Sequence, residues 1–407
     1  MSRFGPGFMV AAAFIGPGTI TTASLAGAGH GLALVWALAF SILTTLVLQE
    51  MAARLGVVGR RGLAEALREA IAAPLPRLLV MSLIVAAVGI GNAAFEAGNL
   101  IGAALGATAL LGGAVPVWVL AIAALAAGLL ASGSYRWIER VLVLLVAVMS
   151  LVFITALVLD PPDATLFAGA VWPWQLSPEA LVMVLALIGT TVVPYNLFLH
   201  ARAVQARWPA SVPTDVALRE ARLDAGLSIG LGGLITFAIM STAAVAFFGT
   251  DTEIRAADLA AQLEPLLGRY SSLFFAAGLL AAGMTSAITA PLAAAWAVTG
   301  ALGWNRGGHD PAGSLDDWRS RSVWIVVLAT GTLFAALQTR PLPAILFAQA
   351  ANGLLLPVIA VALLWVMNRT ALLGNHRNGA LANGLGAAVV LVTVVLGAGN
   401  LLRVLLA

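Results

Sequence analysis

The sequence predicts an all-α integral membrane protein with eleven spans. Three observations predict it. Hydrophobic residues make up 61% of the 407 positions and charged residues only 10%, whereas a soluble domain carries about 25% charged residues. The apolar residues fall in blocks of roughly 20, the length that crosses about 30 Å of hydrocarbon. The basic residues sit between those blocks, mostly on alternate sides. A soluble enzyme, a nucleic-acid binder and a disordered chain are excluded on these grounds. Backbone in lipid must pair within its own segment or in a closed barrel, and barrel-type alternation is absent, so the blocks are helices.

The spans lie near 7–28, 33–54, 78–104, 115–132, 138–159, 180–203, 225–248, 271–301, 323–338, 343–367 and 380–402. The first opens after Met1-Ser2-Arg3 like a signal peptide. Its apolar run continues past Ala11-Ala12-Ala13, so it reads as a retained span. His30 ends it at the outer interface. The second closes with Glu50 and Arg54, spaced i,i+4 for a boundary ion pair. Residues 60–72 then show helical apolar spacing with basic ends, which fits a short helix on the membrane surface or a solvated connector. The third span holds a deep carboxylate, Glu96, in a stripe with Asn92 and Asn99. The fourth and fifth are plain apolar blocks. The sixth contains Pro194 and His200. Residues 215–224 read as a cytoplasmic helix feeding the seventh span, with Asp215 and Arg219 spaced for a pair. In the eighth, Thr285, Ser286 and Thr289 suit close helix packing. In the tenth, Gln349 and Asn352 share a face. Trp172, Trp174, Trp318 and Trp324 read as interfacial anchors.

All 21 basic residues are arginine. With the N-terminus inside, seventeen fall on inside segments and four (Arg255, Arg269, Arg340 and Arg403) outside. That asymmetry follows the positive-inside rule. It places the N-terminus in the cytoplasm and the C-terminus outside a cell (inner) membrane. There is no cysteine, so disulfides and thiolate metal sites are impossible.

Two spans carry helix breakers at their centre. The first contains Gly16-Pro17-Gly18-Thr19, and the sixth Thr190-Thr191-Val192-Val193-Pro194-Tyr195-Asn196. Proline lacks an amide proton and clashes with the preceding turn. Either proline alone reads as an ordinary kink. Together, 177 residues apart, they open two groups of five spans. A five-span unit has an odd number of crossings, so its second copy inserts upside down, and paired broken helices in matching positions point to a midplane transport site. The expected division is 1–159 as the first repeat, 179–367 as the inverted second, and 380–407 as an additional span.

Longer stretches carry a resemblance. The run GPGFMVAAAFIGPGTITTASLAGAGHG, the run LQEMAARLGVVGRRGLAEALRE, VVPYNLFLHA in the sixth span, FAAGLLAAGMTSAIT in the eighth and FAQAANGLLLPVIAVALL in the tenth resemble the natural resistance-associated macrophage protein (NRAMP) family of proton-coupled divalent metal transporters. The resemblance implies a leucine-transporter-like fold, two inverted five-helix repeats plus an eleventh helix, with helices 1 and 6 broken. It places the family's metal site at Gly16, Thr19, Val193, Tyr195 and Gln349, with Thr190 and Asn352 beside it and Pro17, Gly18 and Pro194 as the breakers. The family's Asp-Pro-Gly-Asn stands here as Gly16-Pro17-Gly18-Thr19, and its Met-Pro-His as Val193-Pro194-Tyr195. The carboxylate, amide, thioether and imidazole of that ligand set are all replaced. The family's acidic pair linked to proton movement keeps one member, Glu96, and has Asn99 for the other. His200 matches a family histidine and reads either as a packing residue or as a proton carrier.

A divalent cation entering a low-dielectric site needs opposing charge and several donor atoms to replace its water. Transition metals favour imidazole and thioether, which this set lacks. Mg²⁺ could use hydroxyl, amide and carbonyl oxygen, here from Thr19, Thr190, Gln349, Asn352 and the carbonyls around Phe14. The sequence therefore predicts an NRAMP-like secondary transporter with altered substrate. The alternatives are a non-transporting relative, a Mg²⁺ or Mn²⁺ carrier with an unusual oxygen-rich site, and a carrier of a small organic solute. No phosphate loop, nucleophile elbow or zinc spacing is present, so no enzyme and no cofactor is expected. The expected partners are the lipid bilayer and a small ion or solute, with proton coupling open and no nucleic acid.

Overall fold

The computed structural model describes residues 5–7, 15–132, 136–167, 177–250, 254–304 and 317–406, and the side chains of these except 136–139 and 400–406. Phe14, Trp172, Trp174 and the first half of the first span lie outside the described residues. Thirteen α-helices of eight residues or more run in order among the described residues. They are α1 (Pro17–His30), α2 (Val35–Arg54), α3 (Leu63–Ala70), α4 (Pro74–Leu111), α5 (Val115–Ser132) and α6 (Arg136–Leu159), then α7 (Pro178–Thr191), α8 (Tyr195–Arg207), α9 (Thr214–Phe247), α10 (Ser271–Leu302), α11 (Trp318–Leu337), α12 (Pro341–Met367) and α13 (Ala380–Leu406).

Ten segments among the described residues are long and apolar enough to cross a membrane. They coincide with the second to eleventh expected spans. Several run beyond the apolar blocks. α4 has 38 residues and starts with Pro74 in its first turn, where the missing N–H costs nothing. It stops at Gly112, whose φ of 74° suits glycine. α9 is one uninterrupted helix of 34 residues, so the stretch at 215–224 and the seventh span are continuous.

α4 is the central mast. It packs along α10, α11 and α12, while α10 also lies against α6 and α11. α1 packs on α9, α2 on α7 and α8, and α7 on α12. Small residues allow the close approaches. A Cβ at Gly283 of α10 would come 2.8 Å from the Asn99 carbonyl oxygen of α4, and one at Gly106 would come 2.5 Å from the Ala276 carbonyl oxygen of α10. α7 crosses α12 at Gly189 and Gly353, where an added Cβ on either residue would run into the other helix's backbone.

Three expectations change. α3 is not laid on a membrane surface. Leu63, Ala64, Ala66 and Leu67 are buried, Ala64 and Glu65 pack against Gly300 of α10, and Arg202 of α8 pairs with Glu65 at 3.3 Å. Its apolar stripe is satisfied by protein. Asp215 and Arg219 form no ion pair among the described residues; instead Arg222, one turn on, pairs with Glu50 at 2.8 Å, because that face of α9 turns toward the end of α2. Trp324 is no interfacial anchor: it is 5% exposed and packs with α4, α5 and α10 residues. Trp318 is 71% exposed, as an anchor should be, and His30 is half-buried at the end of α1. Arg54 and Glu50 pair at 3.1 Å as expected.

Candidate functional site

The sixth span is broken where the sequence places the break. α7 stops at Thr191, and the chain passes through Val192, Val193 and Pro194 before α8 begins at Tyr195. Pro194 has no N–H to offer the Thr190 carbonyl four residues back. The turn is closed locally: Val192 N–H donates to the Ile188 carbonyl (2.8 Å), and Asn196 N–H to that of Val193 (3.0 Å).

In the first span α1 begins at Pro17, and Gly16 before it is extended, with φ −109° and ψ −176°. Any residue adopts those angles, so glycine is needed here for room. A Cβ on Gly16 would lie 2.9 Å from Ser286 Oγ of α10. The Pro17 ring fills the space above Gly102 of α4, and a Cβ on Gly18 would overlap the side-chain amide of Gln349. The N-cap residue, Gly16, has no side chain with which to cap α1. The first N–H groups of a helix lack intrahelical partners, and their dipoles leave that end partly positive. The C-terminus of α7, partly negative by the same reasoning, reaches the same level, because Thr19 Oγ1 and Thr190 Oγ1 are hydrogen-bonded at 2.8 Å.

Around this junction the structure gathers most of the expected residues. Gly16, Pro17, Gly18, Thr19, Thr190, Val193, Pro194, Tyr195 and Gln349 are all buried. Gln349 is 0% exposed, and neither its amide nitrogen nor its amide oxygen has a hydrogen-bond partner among the described residues. Ser286 Oγ is likewise buried and unpartnered. Tyr195 turns aside: its ring meets Phe95 of α4 edge-on, with centroids 5.5 Å apart, and its hydroxyl is buried without a partner. Asn352 also diverges from Gln349. Its amide oxygen faces Gly91 of α4, whereas Gln349 faces Gly98, two turns further along α4.

The expected proton-path residues form two separate places. Asn99 Nδ2 donates to Glu96 Oε2 at 3.4 Å, and the Glu96 side chain packs against Gly331 of α11. His200 lies on α8 with Nδ1 2.8 Å from Gln49 Oε1 of α2 and Nε2 unpartnered. Both places are buried, and Asn99 Oδ1 lies 3.8 Å from where a Cβ on Gly16 would stand.

The family model for natural resistance-associated macrophage protein-like chains matches residues 7–403. The chain belongs to the NRAMP family. This NRAMP chain is 29% identical over 378 residues to the divalent metal cation transporter MntH of Verminephrobacter eiseniae, covering 92% of this chain and 83% of that protein. It is 28% identical over 402 residues to MntH of Pectobacterium carotovorum, covering 97% and 92%. Among solved structures it superposes on the manganese transporter of Eremococcus coleocola with a TM-score of 0.76 at 22% identity, over 97% of this chain and 84% of that one. It matches Mhp1, a nucleobase-cation-symport-1 family transporter, with a TM-score of 0.54 at 13% identity. At these identities the structural likeness is one of fold. The NRAMP protein is thus a multi-pass membrane protein with the leucine-transporter-like fold that its sequence resemblance implied.

Two neighbours of the site went unrecognised in the sequence. Ser286 reads there only as a packing residue, although it lies in the FAAGLLAAGMTSAIT stretch that carries the resemblance. Gln49, the partner of His200, stands beside the boundary residue Glu50 and gives no signal of its own.

Proposed function

We propose that this NRAMP protein is a secondary transporter whose substrate is not a transition-metal cation. The observation that carries the reading is the direct hydrogen bond between Thr19 and Thr190 at 2.8 Å, with the uncharged Gln349 amide packed over Gly18. Hydroxyls and an amide meet where the resemblance places the family's charged and soft ligands. Taking an ion out of water costs several kcal/mol even after relaxation, and the imidazole and thioether donors that transition metals favour are missing from this set. The carboxylate of the α4 stripe, Glu96, lies against α11.

The test is uptake into proteoliposomes of the purified protein, with Mn²⁺ as substrate and the Pectobacterium MntH relative as reference. Uptake at least about tenfold below the reference at equal Mn²⁺, a difference of roughly 1.4 kcal/mol, is expected. Saturable Mn²⁺ uptake at the reference rate would overturn the reading. A second reading, a weak carrier of a hard cation such as Mg²⁺, is favoured by one observation: Gln349 Oε1 and Asn99 Oδ1 are buried oxygens without partners. A Mg²⁺ arm in the same assay separates it.

We further propose the division into repeats 1–159 and 179–367, with 380–407 additional. Exchanging each span for the one five further along preserves several of the packing pairs. The first span packs on the seventh as the sixth does on the second, and the third packs on the tenth as the eighth does on the fifth. The arginine asymmetry supports an N-terminus in the cytoplasm and a C-terminus outside the cell membrane. Glu96 and His200 are the titratable groups proposed to carry any coupled proton, with Asn99 hydrogen-bonded to Glu96 on the same path. Glu96→Gln is then expected to abolish the stimulation of substrate uptake by an inward proton gradient while leaving substrate binding in place. Unchanged stimulation would remove Glu96 from that role.

A further inference from the structure

We infer that a groove between α4 and α11 holds one anionic phospholipid of the cytoplasmic leaflet, with an acyl chain in the groove and the phosphate on Arg319. The inference does not depend on which substrate is carried.

The groove arises from side-chain size. Gly89 and Ala93 of α4 line one wall, and Ser322, Val326 and Thr330 of α11, spaced four residues apart on one helix face, line the other. Val298 of α10 closes the floor, and the space enclosed is about 400 Å³. A Cβ on Gly89 would meet nothing within 4 Å, so no neighbouring helix fills this wall. Val326 is 62% exposed and Ile90, beside Gly89, 67%, so the groove opens sideways into hydrocarbon.

Its depth sets the class of occupant. The groove stops where the two helices close. Just beyond Thr330, a Cβ on Gly331 would stand 2.8 Å from the Glu96 side chain and 3.2 Å from the Ala93 carbonyl oxygen. The run from Ser322 to Thr330 covers about 12 Å of helix, within the roughly 15 Å that one leaflet contributes to the hydrocarbon. A helix of a second copy is about 10 Å wide and crosses the whole bilayer, so a slot that ends half-way does not seat it. An acyl chain enters from one leaflet only.

The open end of the groove carries the charge. Arg319 stands one turn before Ser322 and Val323, on the groove face of α11. Its guanidinium stacks over Trp304 and Trp318, 5.6 and 5.7 Å from the ring centroids, and no ion pair engages it among the described residues. Stacking holds the plane and leaves N–H edges to meet a phosphate. Trp318 lies at the interfacial level. On the arginine-based topology this end faces the cytoplasm, where the leaflet is rich in anionic lipid and a basic pocket between spans takes an anionic head group.

The test uses phosphatidylglycerol with a photoreactive diazirine on one acyl chain, and phosphatidylcholine with the same chain as the control. Each probe is mixed at low fraction into phosphatidylcholine nanodiscs that hold the purified full chain. After irradiation, labelled peptides are mapped by mass spectrometry. Label should concentrate on residues 82–93 and 322–330, and the phosphatidylglycerol probe should exceed the control there by about fivefold, the factor for roughly 1 kcal/mol from one arginine. Arg319→Gln should bring the two probes to equal labelling, and Arg319→Lys, which keeps the charge, should retain a preference. Gly89→Leu places its Cβ in open space and fills the groove, so it should lower the label from both probes; it covers the case in which Arg319→Gln does not fold. Label spread evenly over all outward-facing helices marks ordinary boundary lipid and overturns the inference. Equal labelling of the groove by both probes in the unsubstituted protein, or an unchanged preference in Arg319→Gln, overturns it as well, as does undiminished groove labelling in Gly89→Leu.

Discussion

Gly18 and Gly189 both lie against Gln349, and they should respond to substitution in opposite ways. A methyl on Gly18 meets the far end of the Gln349 side chain, which can rotate aside. A methyl on Gly189 meets the Gln349 carbonyl oxygen and the Gly353 amide nitrogen, which are backbone and cannot. Overpacking of a tight core costs about 1–3 kcal/mol. Gly189→Ala is therefore expected to lower the melting midpoint clearly, whereas Gly18→Ala should leave it nearly unchanged while displacing Gln349 and weakening substrate binding. Melting curves and binding measurements on the two variants check this; equal loss of stability would show that the amide end is held as rigidly as the backbone. The identity of the site residues was legible in the sequence because the prolines mark the breaks. Their contacts were not. That Ser286 approaches Gly16, or that Tyr195 turns to Phe95, depends on how α4 and α10 pack, which no local pattern encodes.

The break between α7 and α8 was legible because one proline removes a specific hydrogen bond. The ends of α4 were not, because polar residues are tolerated where a helix runs beyond the hydrocarbon, and hydropathy alone stops counting there. The end of α2 shows another limit. Its i,i+4 pair was visible, but Arg54 also donates to the His376 carbonyl (2.8 Å) and to Asn378 Oδ1 (2.7 Å) in the segment before α13. Glu50 in turn holds Arg222 of α9. Three elements distant in sequence are thus tied through the Glu50–Arg54 pair, in which Arg54 is 7% exposed. Arg54→Met should cost about 1–3 kcal/mol, the penalty for orphaning buried hydrogen-bond partners, and not more, because Glu50 is half-buried and keeps Arg222. A melting midpoint equal to that of the unsubstituted protein would contradict the tie.

The arrangement in the membrane can be read directly because the chain has no cysteine. A single cysteine then reports its own side without a background to remove. Arg255→Cys, where the native side chain is 81% exposed, should react with a membrane-impermeant maleimide applied to intact cells. Arg219→Cys should react only after the membrane is opened. The reverse pattern would invert the whole topology and with it the inside assignment of seventeen arginines. The fold as a whole was legible from span count and paired breaks, since lipid forbids almost every alternative to packed helices.

Where α7 crosses α12, main chain rests on main chain, and neither Gly189 nor Gly353 has a rotamer with which to yield. A hinge cannot sit at such a seam. Half of the broken sixth span and the stretch of the tenth around Gln349 and Gly353 are consequently coupled like two faces of one joint. Gln349 rides on that joint, so a swing that opens the junction carries the amide along with the end of α7 and draws it away from α1.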